Sequence, residues 1–396
     1  MTPRPEAPAP LSRRGPRPLL LHLGLAWLKW HGLSGALRSW NNDWLTCWTG
    51  SGEPDLGRLH ATLDEVLAAD QALIKGIAAY RRDPYVRDLQ DPPAIWEEGE
   101  SRLLDYGGSG PTVLFVPSLI NRAYILDLMA DASMLRFLAG QGLHPYLLDW
   151  GWPGPAERHF SLTDYIAGRL ERALAALPGP VVLAGYCMGG VMALGAAARA
   201  ELLQPGKVSA LALLATPWDF HSPDPGVAQR VAEALPALEL AMQFSQTLPI
   251  DALNTLFAMI DPFGVAKKFR DFAGQDKATP RARRFVAMED WLADGVPLAA
   301  PVARETLSGW YGANLTARNQ WRVAGLPVEP ARLRMPSFCA IPARDQLVPA
   351  ASARALAAQL GRCAIIEPAA GHIGMVAGTN AETLLWRPFA DWVHRL

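Results

Sequence analysis

The sequence predicts an α/β fold, a mostly parallel sheet with helices on both faces and a helical cap insertion. Three observations predict it. Short apolar runs alternate with stretches of helical periodicity from Thr112 onward, the alternation lapses after Thr216 and resumes near residue 334, and a glycine-flanked turn joins one apolar run directly to a helix. Composition points the same way. Half of the 396 residues are hydrophobic, enough for a large core, and 37 basic against 38 acidic side chains leave a net charge of −1, without the basic excess that a nucleic-acid binder uses on phosphates.

The elements follow in order. Residues 1–18 are rich in proline and read as a disordered tail. Residues 19–100 read as a helical amino-terminal region, in which Trp27, Trp30, Trp40, Trp44 and Trp48 alternate with leucines at spacings of three and four. Such a face covers a core or, because Trp suits the boundary between apolar material and water, lies in an interface. The run at residues 18–28 is interrupted by His22 and followed by Lys29, and a membrane span needs about 20 apolar residues, so no transmembrane helix is expected. The core is expected at 101–216 and 334–396, with strands at 112–116, 145–148, 181–184, 208–215, 337–341 and 363–367. Helices are expected at 127–138, 162–174, 191–203, 352–360 and 381–394. Residues 217–333, with a helix at 231–244, form the cap insertion, and ligands in such sheets bind outside the carboxyl ends of the strands, where a cap belongs.

Chemistry concentrates at Gly185, Tyr186, Cys187, Met188, Gly189 and Gly190, between the strand at 181–184 and its helix. This is the strand, sharp turn, helix context of a nucleophile elbow, with cysteine in the serine position of GxSxG. Gly185 and Gly189 let strand and helix approach closely while the turn strains the nucleophile. A thiol needs a base. Among eight histidines, His372 in Gly371, His372, Ile373, Gly374 follows the last strand and reaches the sheet's carboxyl edge. Asp345 follows the preceding strand and is placed to hold the imidazole tautomer. The order nucleophile, acid, histidine belongs to the α/β-hydrolase arrangement. Oxyanion donors are expected from the N–H of Met188 and from Leu119 or Ile120 in the loop after residues 112–116, where Pro117 has none to give.

The four cysteines, Cys47, Cys187, Cys339 and Cys363, are too sparse to staple the chain, and a reducing, cytoplasmic setting is expected. No metal-ligand spacing and no GxGxxG or phosphate loop is found, so neither a metal nor a bound cofactor is expected.

The segments Val116 to Leu128, Leu147 to Pro153, Leu162 to Ile166, the cysteine box at 185–190, the turn Thr216 to Phe220 and Gly371 to Gly374 together resemble polyhydroxyalkanoate synthases. The resemblance spans roughly residues 100–396 and implies an acyltransferase that takes an acyl group from (R)-3-hydroxyacyl-CoA onto Cys187 and polymerises it with release of coenzyme A, a substrate here. It implies that His372 deprotonates first the thiol and then a hydroxyl, with Asp345 in support. It also implies a polyester product, a granule surface in the cytoplasm, and a homodimer or a partner subunit. Arg122 is a candidate for the coenzyme A phosphates. Two other readings use the same residues: a cysteine-dependent hydrolase (esterase, thioesterase or depolymerase), and a non-catalytic granule-binding protein.

Overall fold

The computed structural model describes residues 13–31 and 56–396. The chain divides into two compact units, Met1–Val86 with Phe257–Ala293, and Arg87–Leu256 with Asp294–Leu396.

The larger unit is built on one eight-stranded sheet. Its strands are β1 Ala94–Glu98, β2 Ser101–Asp105, β3 Thr112–Val116, β4 His144–Asp149, β5 Val181–Tyr186, β6 Val208–Leu214, β7 Ser337–Ala340 and β8 Cys363–Ile366, in the spatial order β1-β2-β4-β3-β5-β6-β7-β8. β1 and β2 pair antiparallel, as do β2 and β4, and every later pair is parallel. All six residues of β5 are buried, the continuous apolar pattern of a strand covered on both faces. The direction of strand addition changes at β3, which lies between β4 and β5, so the loops after β3 and β5 flank the switch point where such sheets bind ligands.

Several elements differ from the sequence expectation. The first strand of the β1–β2 hairpin lies within the region read as helical; β1 is a largely exposed edge strand, Ala-Ile-Trp-Glu-Glu, without the apolar run of the central strands. Residues 127–133 form a short antiparallel hairpin where a helix was expected, and the helix spans only Met134–Gly140. Asp127 is responsible in part: its buried carboxylate accepts from Arg136 Nε at 2.8 Å and from the Tyr106 hydroxyl at 3.1 Å, which takes it out of any helix face. The single helix expected at 231–244 is two, Pro225–Glu233 and Leu235–Ser245, because Pro236 can occupy only a first turn. Residues 164–170 and 382–386 are π-helical and continue into short α-helices.

The smaller unit corrects the domain boundaries. The insertion 217–333 is not one body: 257–293 joins the amino-terminal helices, and the rest stays with the sheet. Helices Leu19–His31, Leu56–Arg82, Gly264–Ala273 and Pro280–Ala293 enclose a core of Leu73, Ile77, Tyr80, Phe269, Phe272 and Val286. Gly76 sits against the backbone of Phe269, where a Cβ would fall 1.9 Å from the carbonyl oxygen, so only glycine allows this crossing. Nor is all of 1–18 a free tail. Arg13 pairs with Asp290 at 2.6 Å, and Arg17 donates to the Ala293 carbonyl at 3.1 Å; a half-buried guanidinium with fixed acceptors anchors the backbone that carries it. Of the tryptophan-rich segment, residues 32–55 lie outside the described residues. Among the described residues no helix is long and apolar enough to cross a membrane, and no cluster of three or more His, Cys, Asp or Glu could hold a metal ion.

Candidate active site

Cys187 stands between β5 and the helix Met188–Leu203, with φ 57° and ψ −128°. A side chain rarely adopts this conformation, which costs about 1–3 kcal/mol and persists only where its surroundings enforce it. The enforcement is steric. A Cβ on Gly185 would fall 2.4 Å from Gly190 Cα, one on Gly189 2.1 Å from the Val116 carbonyl oxygen, and one on Gly190 1.9 Å from Thr216 Oγ1. Three glycines therefore let strand and helix close on the turn. Cys187 N donates to Leu214 O at 2.9 Å, and Gly190 N to Cys187 O at 2.9 Å, which locks both sides of the bend.

Asp345 and His372 leave neighbouring strands. Beyond the last paired residues of β7 and β8, Ile341 N donates to Ile366 O, Ala343 N to Pro368 O and Arg344 N to Ala370 O, each at 2.9 Å, so the two loops run together off the sheet edge. His372 Nδ1 lies 2.6 Å from Asp345 Oδ2, and Asp345 Oδ1 accepts from Leu347 N at 2.8 Å and Val348 N at 2.9 Å. The carboxylate, whose side chain is fully buried, is satisfied by these donors and stays an acceptor for the ring N–H, which fixes the tautomer.

With Nδ1 committed to Asp345, the remaining ring nitrogen is left to serve Cys187, which acts on the imidazole through charge. Burial works to lower the pKa of His372. The negative charges of Cys187 and Asp345, with the hydrogen bond that the ring donates to Asp345, outweigh it and push the imidazole up from 6.5 to about 10. The ring is thus held in its protonated form beside the nucleophile. The Tyr186 hydroxyl donates to the His372 carbonyl at 3.2 Å and the two rings pack at 5.1 Å, so the residue before the nucleophile also braces the histidine.

Of the residues expected to bind an oxyanion, Met188 is the first of its helix, where backbone N–H groups have no intrahelical partner and the helix dipole is positive. In the loop after β3, Ile120 N already donates to Ser118 Oγ at 3.2 Å, and Ile120 O accepts from Val296 N at 2.8 Å, which leaves Leu119 as the better placed of the two. Arg122 faces the Asp149 carboxylate at 3.7 Å, so its place beside this loop has a structural explanation within the protein. Other histidines are likewise accounted for: His144 pairs with Asp105 at 2.7 Å, and His221 contacts the Tyr311 carbonyl at 2.8 Å.

A cysteine on a strained turn after a central parallel strand, with an acid and a histidine supplied in that chain order, defines a class. The chain belongs to the alpha/beta hydrolase family, whose model matches residues 113–384. Within that family the resemblance carried by the sequence segments extends over most of this chain. The chain is 31% identical over 75% of its length to a poly(3-hydroxyalkanoate) polymerase subunit PhaC of Haloferax mediterranei, and spans 62% of that protein. It is 28% identical to the subunit of the same name from Allochromatium vinosum, covering 71% of this chain and 80% of that one, and 26% identical to that of Thiocystis violacea, covering 85% and 94%.

Sequence reasoning missed two residues. Tyr186 occupies the variable position of the elbow, and Tyr311 comes from the insertion; the pKa of the Tyr311 phenol is raised by burial and by the charge on Cys187. No local motif marks either.

Proposed function

We propose that the protein is an acyltransferase that polymerises (R)-3-hydroxyacyl units from their coenzyme A thioesters. The observation that carries this reading is the Cys187, His372, Asp345 arrangement in a chain similar over most of its length to poly(3-hydroxyalkanoate) polymerase subunits. The Cys187 sulfur attacks the thioester carbonyl while the oxygen draws hydrogen bonds from the N–H groups of Met188 and Leu119, each worth about 2.7–4 kcal/mol in the transition state. The bond to the coenzyme A sulfur breaks, and that thiolate takes the proton from the His372 imidazolium. Neutral His372 then removes the proton from the hydroxyl of a second hydroxyacyl unit, whose oxygen attacks the acyl-Cys187 carbonyl; an ester forms and the sulfur leaves as thiolate, again facing imidazolium. One base serves both halves. Exchange of one thioester for another preserves the bond type, so the acyl-enzyme stays reactive toward an alcohol. Product chains accumulate as a polyester phase, and the enzyme works at its surface in the cytoplasm.

The test is incubation with (R)-3-hydroxybutyryl-CoA, following free coenzyme A, acylated Cys187 by mass spectrometry and product size by chromatography. Polymer and coenzyme A are expected from the natural protein, and neither from Cys187→Ala. Free hydroxy acid as the sole product would make the protein a cysteine hydrolase, and no acylation at all would leave only a binding role.

A further inference from the structure

Within the sheet unit, Arg158, His159, Gln243, Gln246 and Arg304 line a surface recess of about 180 Å³. Two guanidinium groups, an imidazole and two amides meet there, and no carboxylate is among the lining residues. Arg158 donates from Nε to the Pro153 carbonyl at 3.3 Å and pairs with no carboxylate among the described residues, so its outer nitrogens are available. Arg304 is held by Glu239 through Nε and Nη2, each at 2.8 Å, which fixes the plane of its guanidinium and leaves Nη1 uncommitted. Planar donors of this kind match the oxygens of a phosphate. Pockets that enclose a whole small ligand run to about 300–1,000 Å³, so a recess of this size accepts one group of a larger molecule.

Both walls of the recess are tied to the loop after β3, which supplies the second oxyanion donor. On one side, Trp150 Nε1, just past β4, donates to the Pro117 carbonyl at 3.0 Å. The chain then reaches the turn Glu157–His159, in which Arg158 N donates to Gly154 O at 3.0 Å and the buried Glu157 pairs with Arg169 at 3.0 Å. On the other side, Val296 N donates to Ile120 O at 2.8 Å, and the short strand Leu298–Ala299 pairs antiparallel with Thr247–Leu248. Ala300 N then donates to Gln246 O at 3.1 Å, which joins the helix carrying Arg304 to the end of the helix carrying Gln243. Four residues lead from Val296 to Ala300, so the recess wall begins within about 14 Å of the oxyanion loop. The pantetheine arm that joins the thioester sulfur of coenzyme A to its phosphates has about as many chain atoms as four residues and covers the same reach.

We propose that this recess holds a phosphate group of the coenzyme A thioester, with Arg158 as its main donor and Arg304 and His159 beside it, while the acyl end lies at Cys187. The assignment rests on the acyltransferase reading and gives the charged end of its substrate a place. Arg122, nearer the nucleophile, faces Asp149 at 3.7 Å and is not required for this role.

The experiment follows acylation of Cys187 by rapid-quench mass spectrometry, at graded concentrations of (R)-3-hydroxybutyryl-CoA and of (R)-3-hydroxybutyryl-pantetheine, which has the same acyl group and arm without the phosphates. At low concentration the natural protein should react with the coenzyme A thioester at least about tenfold faster. In Arg158→Gln that rate should fall about tenfold through a higher half-saturating concentration, while the maximal rate and the pantetheine reaction stay within about twofold. Calorimetric titration with free coenzyme A should show the same loss of affinity. Equal rates for the two thioesters in the natural protein overturn the assignment and leave the acyltransferase reading standing. So does a coenzyme A preference that survives in Arg158→Gln, or a parallel fall of both reactions, which marks a structural role. If neither thioester acylates Cys187, the acyltransferase reading falls and calorimetry decides alone: coenzyme A binding that weakens in the variant supports the recess, and equal or absent binding overturns it.

Discussion

The nucleophile and the acid–histidine pair are held by different physics. Around Cys187 the constraint is exclusion: Gly185, Gly189 and Gly190 all lie where an added methyl would meet backbone or Thr216 at 1.9–2.4 Å. Around His372 the constraint is attraction, through the 2.6 Å contact to Asp345 and the charge on Cys187. The glycines beside the histidine are not needed in the same way. A Cβ on Gly371 would meet nothing nearer than the Arg344 carbonyl at 3.5 Å, and one on Gly374 would meet nothing within 4 Å. Two short motifs that look alike on paper, GxCxG and GHxG, are thus a steric device and a loop that delivers a side chain. A change in the first should act on the fold, and a change in the second on protonation.

The largest expected effect breaks the attractive half. Asp345→Asn keeps the shape but cannot hold the imidazolium or enforce the same tautomer, so the rate of coenzyme A release should fall by about 10³–10⁴-fold. Stopped-flow detection of free thiol measures it, and thermal unfolding checks that the fold survives. A fall of less than tenfold would mean that Asp345 does not serve His372 in turnover.

Next comes the exclusion half. Gly189→Ala places a methyl against the carbonyls of Val116, the last residue of a central strand, and Pro117, the residue after it, which cannot move aside freely. Overpacking of this kind costs about 1–3 kcal/mol, and the same methyl pushes on the loop that carries Leu119. Gly371→Ala, with φ −91° and an ordinary contact distance, should change stability by less than about 0.5 kcal/mol. Paired denaturant titrations of the two variants read the contrast, and equal destabilisation would remove the distinction drawn between the motifs.

This contrast also explains what the sequence could and could not disclose. The elbow is contiguous, so its strand, glycines and helix are written within a dozen residues and are legible as a unit. Strands β3 to β7 are legible because burial on both faces leaves apolar runs, and the edge strand β8 because its four residues are apolar although half of them are exposed. Asp345 and His372 are legible only through their order after successive strands, since their 2.6 Å contact depends on β7 and β8 pairing in register. Where partners are distant and the pattern is merely amphipathic, the sequence is silent. Periodicity shows that the Leu56–Arg82 helix has an apolar face, but not that Phe269 and Phe272 cover it. The edge strand β1 carries Glu97 and Glu98 and no apolar run, and Asp127 hides an ion-pair network in what reads as a helix. Tyr311 meets the turn after β6 through His221, 90 residues away in the chain, a juxtaposition that no local pattern encodes.

The smallest effect separates the two charges that act on His372. Its pKa is raised from 6.5 to about 10, so the stability it contributes is fully present below pH 6.5 and is lost as pH rises through about 10. Removing one source of the shift should narrow that window from above. Cys187→Ala deletes the sulfur's charge, the foremost of the influences that raise the pKa, and leaves Asp345 in place. The His372 ring should then titrate at lower pH than in the natural protein, and the stability of the variant should begin to fall at a correspondingly lower pH. Nitrogen chemical shifts of the ring followed across pH 6 to 11 read the first, and urea midpoints over the same range read the second. An unchanged titration would assign the whole shift to Asp345, and the picture of a sulfur and a ring sharing one proton would have to be abandoned, even with the fold and the elbow intact.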